Sequence, residues 1–134
     1  MRRKRILVVD DEIYMQHILE FSLGMEGMEV IRAGSGEEAL QRAAEESPDL
    51  IVLDVVMPGM DGYEVCRRMR EQERGRRIPI VFLSARDGAA DRELGISLGA
   101  DAYITKPFSP QKLIDTIDDL LTGVRQDQSE ASGF

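Results

Sequence analysis

The chain is expected to fold as an α/β domain: a parallel sheet of five strands, doubly wound, with five helices over its two faces. Three observations predict this. Ile6-Leu7-Val8-Val9 and Leu50-Ile51-Val52-Leu53 are unbroken aliphatic runs that end on acid, as strands buried on both faces do. Strand-like runs then alternate with helix-period segments along the whole chain. Finally, 134 residues, 43% of them hydrophobic, suffice for one domain with a substantial core.

The elements follow in order. Ile6–Val9 is the first strand and stops at Asp10-Asp11. The next segment, to about Gly24, spaces Met15, Leu19 and Leu23 by four, with Ile18 beside them, and reads as a helix with Gly27 at its end. Glu29–Ala33 is a second, partly polar strand. Ser35 with Glu38 forms a capping box for a helix to about Ser47 that buries Ala39, Leu40, Ala43 and Ala44. The third strand, Leu50–Leu53, runs into Asp54. Asp61 and Glu64 open a helix to about Glu73 with Val65, Cys66 and Met69 on one face. Ile78–Leu83 is a fourth strand ending in Ser84-Ala85. A helix over about Gly88–Leu98 is poorly specified, since Gly95 inside it costs ~1 kcal/mol against Ala. Ala102–Thr105 is the fifth strand and leads to Lys106-Pro107-Phe108. Ser109 caps the last helix, with Pro110 in its first position and a stripe of Leu113, Ile114, Ile117, Leu120 and Leu121. Residues 1–123 form the domain. Residues 124–134 read as a polar tail or the start of a linker, because Gln126–Phe134 lacks periodicity.

Composition narrows the chemistry. A formal charge of −8 argues against a nucleic-acid surface as the main business of this domain. No apolar run reaches the ~18 residues of a membrane helix. Arg2-Arg3-Lys4-Arg5 followed by Ile6–Val9 mimics a signal peptide, but the apolar part stops short of the ~7–15 residues needed. The lone cysteine, Cys66, excludes an internal disulfide and fits a reducing, cytoplasmic setting; it reads as core rather than as a reactive thiol. With one histidine, any metal is held by oxygen, which means Mg²⁺, Mn²⁺ or Ca²⁺. Arg67, Arg68, Arg70, Arg74, Arg76 and Arg77 read as a solvated helix face with Glu71 and Glu73 interleaved, ahead of a site for an acidic partner.

In a doubly wound sheet of order 2-1-3-4-5, strands 1 and 3 are neighbours at the switch point where such folds bind ligands. Asp10 and Asp11 end strand 1, and Asp54 ends strand 3. Three carboxylates in one crevice oppose each other's ionisation. A divalent cation resolves that, and few protein oxygens plus waters is the usual way Mg²⁺ is bound. Ser84 and Lys106 end strands 4 and 5 and project over the same edge. Singly, each of these is an ordinary turn or surface residue; their joint placement on a single crevice is what that ordinary reading explains poorly.

These residues closely resemble the receiver domain of two-component response regulators, a flavodoxin-like fold. The resemblance is carried by Leu7-Val8-Val9-Asp10-Asp11, Asp54 with Met57-Pro58-Gly59-Met60-Asp61-Gly62, Ser84-Ala85 and Tyr103-Ile104-Thr105-Lys106-Pro107-Phe108, across roughly residues 4–122. The strand order is itself that of receiver folds, so order and resemblance are one expectation rather than two. The resemblance implies that Asp54 accepts a phosphoryl group from a sensor histidine kinase, a phosphotransfer protein or a small acyl phosphate. It implies Mg²⁺ held directly by Asp11, through water by Asp10, and by Asp54 and the Val56 carbonyl. Lys106 and Ser84 would bind phosphoryl oxygens, and the Lys106–Pro107 bond would be cis. Ser84, Tyr103 and Pro107 would form the switch. Tyr103 would rotate from exposed to buried, and the fourth helix, fifth strand and fifth helix would report to a downstream protein or a fused output domain. The protein would then be a cytoplasmic signalling phosphoprotein, promoting only its own phosphorylation and dephosphorylation.

Departures bear on the output. Asp101-Ala102-Tyr103 stands where winged-helix regulators often have two adjacent acids, and Asp115, Asp118 and Asp119 where a basic residue is common. A homodimer on activation is therefore left open. Val56 and Arg86 flank the phosphoryl site and are expected to tune its lifetime. The main rival is a Mg²⁺-dependent phosphohydrolase working through an aspartyl phosphate. Such an enzyme usually has an acid two residues past its nucleophile, where this chain has Val56, or Glu12 counting from Asp10, and it needs a cap with no spare length to form it. A flavodoxin-like cofactor binder needs a glycine- and hydroxyl-rich loop where this chain has Asp10-Asp11-Glu12.

Overall fold

The structure, a computed structural model, describes residues 2–73, 75 and 77–123. The expected tail at 124–134, and Arg74 and Arg76 of the arginine-rich stretch, lie outside the described residues. Ten elements alternate: β1 (Arg5–Val9), α1 (Ile13–Met25), β2 (Glu29–Ala33), α2 (Gly36–Glu46), β3 (Leu50–Leu53), α3 (Gly62–Glu71), β4 (Ile80–Ser84), α4 (Ala89–Ser97), β5 (Ala102–Thr105) and α5 (Pro110–Leu121). All strands are parallel, in the order β2-β1-β3-β4-β5.

The aliphatic runs make this sheet because successive side chains point to opposite faces and both faces are covered. Ile6 and Val8 pack with Leu19 and Leu23 of α1 and Leu113 and Ile117 of α5. Leu7 and Val9 face the other layer, with Ala39 and Ala43 of α2 and Val65, Cys66 and Met69 of α3. Leu50–Leu53 is buried throughout, and at about 1.5–3 kcal/mol per fully buried aliphatic side chain such runs outweigh any local propensity.

Caps form where the sequence places them, with one change of partner. Ser35 Oγ accepts from the Glu38 N–H at 3.1 Å, but the Glu38 carboxylate takes the N–H of Gly34 at 2.7 Å rather than that of Ser35. Asp61 accepts from the Glu64 N–H at 2.9 Å. Glu64 itself turns outward to Arg67 and Arg68, whose hydrogen bonds hold its carboxyl down at about 2. Ser109 caps α5 through the Lys112 N–H.

Other expectations need correction. α3 stops at Glu71, because Gln72 turns extended and Arg70 folds back to the carbonyls of Gly75, Ile78 and Gly99. Arg70 also pairs with Asp101 at 3.1 Å, so it belongs to the fold rather than to a solvated face, while Arg67 and Arg68 do lie on one. β4 begins at Ile80, whose N–H is taken by the Asp101 side chain. Ala44 is exposed, since α2 turns Ala39 and Ala43 to the sheet. Ile18 is exposed too, and with Tyr14, Phe21 and Met25 it forms an outer apolar stripe on α1. Gly95 is not a mere weakness in α4: a Cβ there would stand 3.0 Å from the Tyr103 ring and 3.1 Å from Phe82, so any larger residue makes the rings or the helix shift by a few tenths of an ångström.

Candidate functional site

The site lies where β1 and β3 end side by side. Val9 pairs with Leu53, and the Asp54 N–H reaches the Val9 carbonyl at 3.0 Å, so the next residue of each strand faces one crevice. One carboxylate oxygen each from Asp10, Asp11 and Asp54 falls within a 4.8 Å spread. Asp10 and Asp54 are buried, whereas Asp11 is exposed. Lys106 arrives from the end of β5, where its N–H takes the Ser84 carbonyl at 2.7 Å. Its ammonium donates to Asp10 at 2.9 Å and to Asp54 at 3.2 Å. The second oxygens are held as well: Glu12 N–H donates to Asp10 at 2.9 Å and Val56 N–H to Asp54 at 3.2 Å.

Charge does not balance in this cluster. Three carboxylates meet one ammonium, which leaves two negative charges. Burial pushes the Asp54 carboxyl above its usual range; Lys106 pulls it back, the Asp10 charge adds to the rise, and the net shift is upward. Burial also works against the Lys106 charge, but the Asp10 hydrogen bond and the two anions outweigh it and hold the ammonium more firmly than usual. Burial is thus the first cause of the Asp54 rise, while the neighbouring anions are what hold the Lys106 charge in place. Oxygen donors at this spacing, one of them solvent-facing, fit Mg²⁺ with waters completing its shell.

The remaining expected residues sit around this crevice. Ser84 is fully buried, its Oγ accepting the Arg86 N–H at 3.2 Å. Val56 is 49% exposed at the rim. The Lys106–Pro107 peptide is cis. Arg86 reaches away from the acids to Asp91, at 3.5 Å. Tyr103 is already inward in this structure: it is 5% exposed, and its hydroxyl donates to the Arg86 carbonyl at 2.8 Å. Arg92 covers that ring, 5.4 Å from its centroid, and donates to the Tyr103 carbonyl. Tyr63, Phe82 and Tyr103 make a continuous aromatic contact under α4. Cys66 is buried and its thiol is pushed up to about 11 by burial, as a core residue's would be.

Sequence reasoning missed two supports of the site. Gly62 lies against the Asp54 backbone so closely that a Cβ would stand 2.2 Å from its carbonyl oxygen. The Gly59–Gly62 stretch signals a turn but not this contact. Gln16 of α1, with nothing in its spacing to mark it, donates to the Asp10 carbonyl.

A doubly wound sheet with acids at the switch point and a lysine reaching them from its last strand is a receiver-type α/β domain. The model of the response regulator receiver domain family matches residues 6–118, and the chain belongs to that family, the signal-receiving part of two-component systems. It is 51% identical over 110 residues to the alkaline phosphatase synthesis transcriptional regulatory protein PhoP of Bacillus subtilis, covering 82% of this chain and 45% of that protein. With the probable transcriptional regulator ycf27 of Cyanophora paradoxa it shares 50% over 121 residues, 90% of this chain and 49% of the relative. The chain thus spans about half the length of the curated relatives it matches. Among solved structures, the receiver domain of the sensor histidine kinase PA1611 of Pseudomonas aeruginosa fits with a TM-score of 0.84 at 32% identity, covering 91% of this chain and 100% of that one; its structure has a magnesium ion coordinated in the active-site cleft. Among the described residues, no helix is long and apolar enough to cross a membrane.

Proposed function

We propose that Asp54 accepts a phosphoryl group in a Mg²⁺-dependent reaction and that the chain is a phosphorylation switch. The observation that supports this most is the shared hold of Lys106 on Asp10 and Asp54 beside the open Asp11. Phosphoryl transfer calls for positioning and charge neutralisation more than for covalent help from the protein. An ionised Asp54 oxygen attacks phosphorus, the bond to the donor's imidazole nitrogen breaks, and its electrons leave with that nitrogen. Lys106 then exchanges its bond to Asp54 for one to a phosphoryl oxygen. Asp10, Asp11, Asp54 and the Val56 carbonyl would hold Mg²⁺, which supplies the charge to offset phosphate. The Ser84 hydroxyl turns to another phosphoryl oxygen and carries the loop through Arg86, whose carbonyl holds the Tyr103 hydroxyl.

The donor is a sensor histidine kinase or phosphotransfer protein, and the output is a partner or fused domain contacting α4, β5 and α5. The exposed stripe of Tyr14, Ile18, Phe21 and Met25 lies on the helix that follows Asp11, which makes it the surface we assign to a docking donor.

Incubation with acetyl phosphate and Mg²⁺, read by intact mass, tests the chemistry. One added phosphoryl group is expected, absent in Asp54→Asn. Phe21→Ser is expected to slow transfer from a donor kinase at least severalfold and to leave acetyl phosphate transfer unchanged. No adduct would contradict the switch, and steady phosphate release from many esters would favour a hydrolase instead.

A further inference from the structure

We propose that Gln16 is a positioning residue for the cation: it fixes the peptide unit between Asp10 and Asp11 and so sets where the Asp11 carboxylate stands. The inference rests on the Mg²⁺ site proposed above. Gln16 lies near the start of α1 and is only 7% exposed. Its Nε2 donates to the Asp10 carbonyl at 2.7 Å and to the Ala33 carbonyl at 3.3 Å. The same Ala33 carbonyl accepts the Asp10 N–H at 3.1 Å. One side chain therefore extends the β1–β2 ladder past the last paired residues, Val9 and Ala33.

The peptide unit is planar, so the Asp10 carbonyl and the Asp11 N–H turn together. A bond to that oxygen fixes the unit's rotation and the direction in which Asp11 leaves it. The two acids depend on this to different degrees. Asp10 has its carboxylate held on both oxygens, by Glu12 N–H and by Lys106. Asp11 is exposed, and among the described residues its carboxylate has no hydrogen-bonding partner. Its place within 4.8 Å of the other acids is therefore set through the backbone that Gln16 holds. If Gln16 only satisfied two buried carbonyls, its loss would change stability and leave cation affinity alone.

Calorimetric titration of MgCl₂ into wild type, Gln16→Leu and Gln16→Arg separates these. Leu keeps the bulk and loses the donor; Arg returns N–H donors at that reach. Outer supports of metal ligands are worth about 10–100-fold in affinity, and Gln16→Leu is expected at the lower end, about tenfold weaker; Gln16→Arg adds a positive charge beside the site, so it is read by amide exchange, which it should slow back toward wild type. In metal-free protein, amide exchange at Asp10 and Glu12, whose N–H groups are held by the Ala33 carbonyl and the Asp10 carboxylate, should accelerate in Gln16→Leu while that of Val56 holds. Unchanged Mg²⁺ affinity and exchange in Gln16→Leu overturn the inference. Should that variant not fold, Gln16→Met takes its place in the same comparison. A wild type that binds no Mg²⁺ overturns the site itself, a result distinct from equal binding by all three.

Discussion

Asp54 is 6% exposed beside a second buried acid, so its charge is costly even with Lys106 at 3.2 Å. Its carboxyl is raised above the ordinary value. A group raised on folding contributes stability below its unfolded pKa, and that contribution is lost as pH rises through the folded value. At neutral pH without metal, ionised Asp54 therefore destabilises the fold. Asp54→Asn is expected to raise the metal-free melting temperature at pH 7 by several degrees, about 1–2 kcal/mol. The gain should shrink on acidification through the raised Asp54 value, and Mg²⁺ should stabilise wild type more than the variant. A lower melting temperature for Asp54→Asn at pH 7 would contradict this balance of charge. The acids were readable in the chain because each ends an aliphatic run, and a strand's end shows where the chain leaves the sheet. Gln16 and Gly62 were not, because their roles exist only once α1 and the β3–α3 turn pack against the strand ends.

At the scale of elements, α4 shows where local pattern misleads. From sequence, Gly95 reads as a fault that Ala would mend, with a gain of ~1 kcal/mol in helix propensity. In the fold, the added methyl meets Tyr103 at 3.0 Å and Phe82 at 3.1 Å. Overpacking of this kind costs about 1–3 kcal/mol, so the crowding should win. Gly95→Ala is expected to lower the melting temperature, speed amide exchange across α4 and loosen the Tyr103 hydroxyl from the Arg86 carbonyl. A stabilised variant with α4 exchange slowed would show that the rings yield freely. The strands, by contrast, were readable nearly to the residue: β3 and β5 have their expected bounds because a run buried on both faces has one place to be, and the half-exposed β2 has its expected bounds as well. β4 was read as starting too early and α3 as ending too late, since Asp101, just before β5, takes the Ile80 N–H and Arg70 folds back onto the turn before β4.

For the whole molecule, topology does the chemical work. Asp10 and Lys106 are 96 residues apart in sequence and 2.9 Å apart in space, because β1 lies inside the sheet beside the central β3, and the end of β5, beyond β4, brings Lys106 back over the crevice between them. The same order leaves α1 and α5 on one face and α2, α3 and α4 on the other, so the face with the apolar stripe and the aromatic contact under α4 are separate surfaces joined at the acid cluster. Fold and site were legible together because the motifs sit at strand ends. The inward position of Tyr103 was not, since exposure of one ring depends on how α4 packs. A high-resolution crystal structure grown with MgCl₂ tests the shared-cation claim most directly. One octahedral ion is expected about 2.1 Å from oxygens of both Asp11 and Asp54. An ordered Mg²⁺ elsewhere, or an acid cluster still ion-free at saturating Mg²⁺, would contradict it.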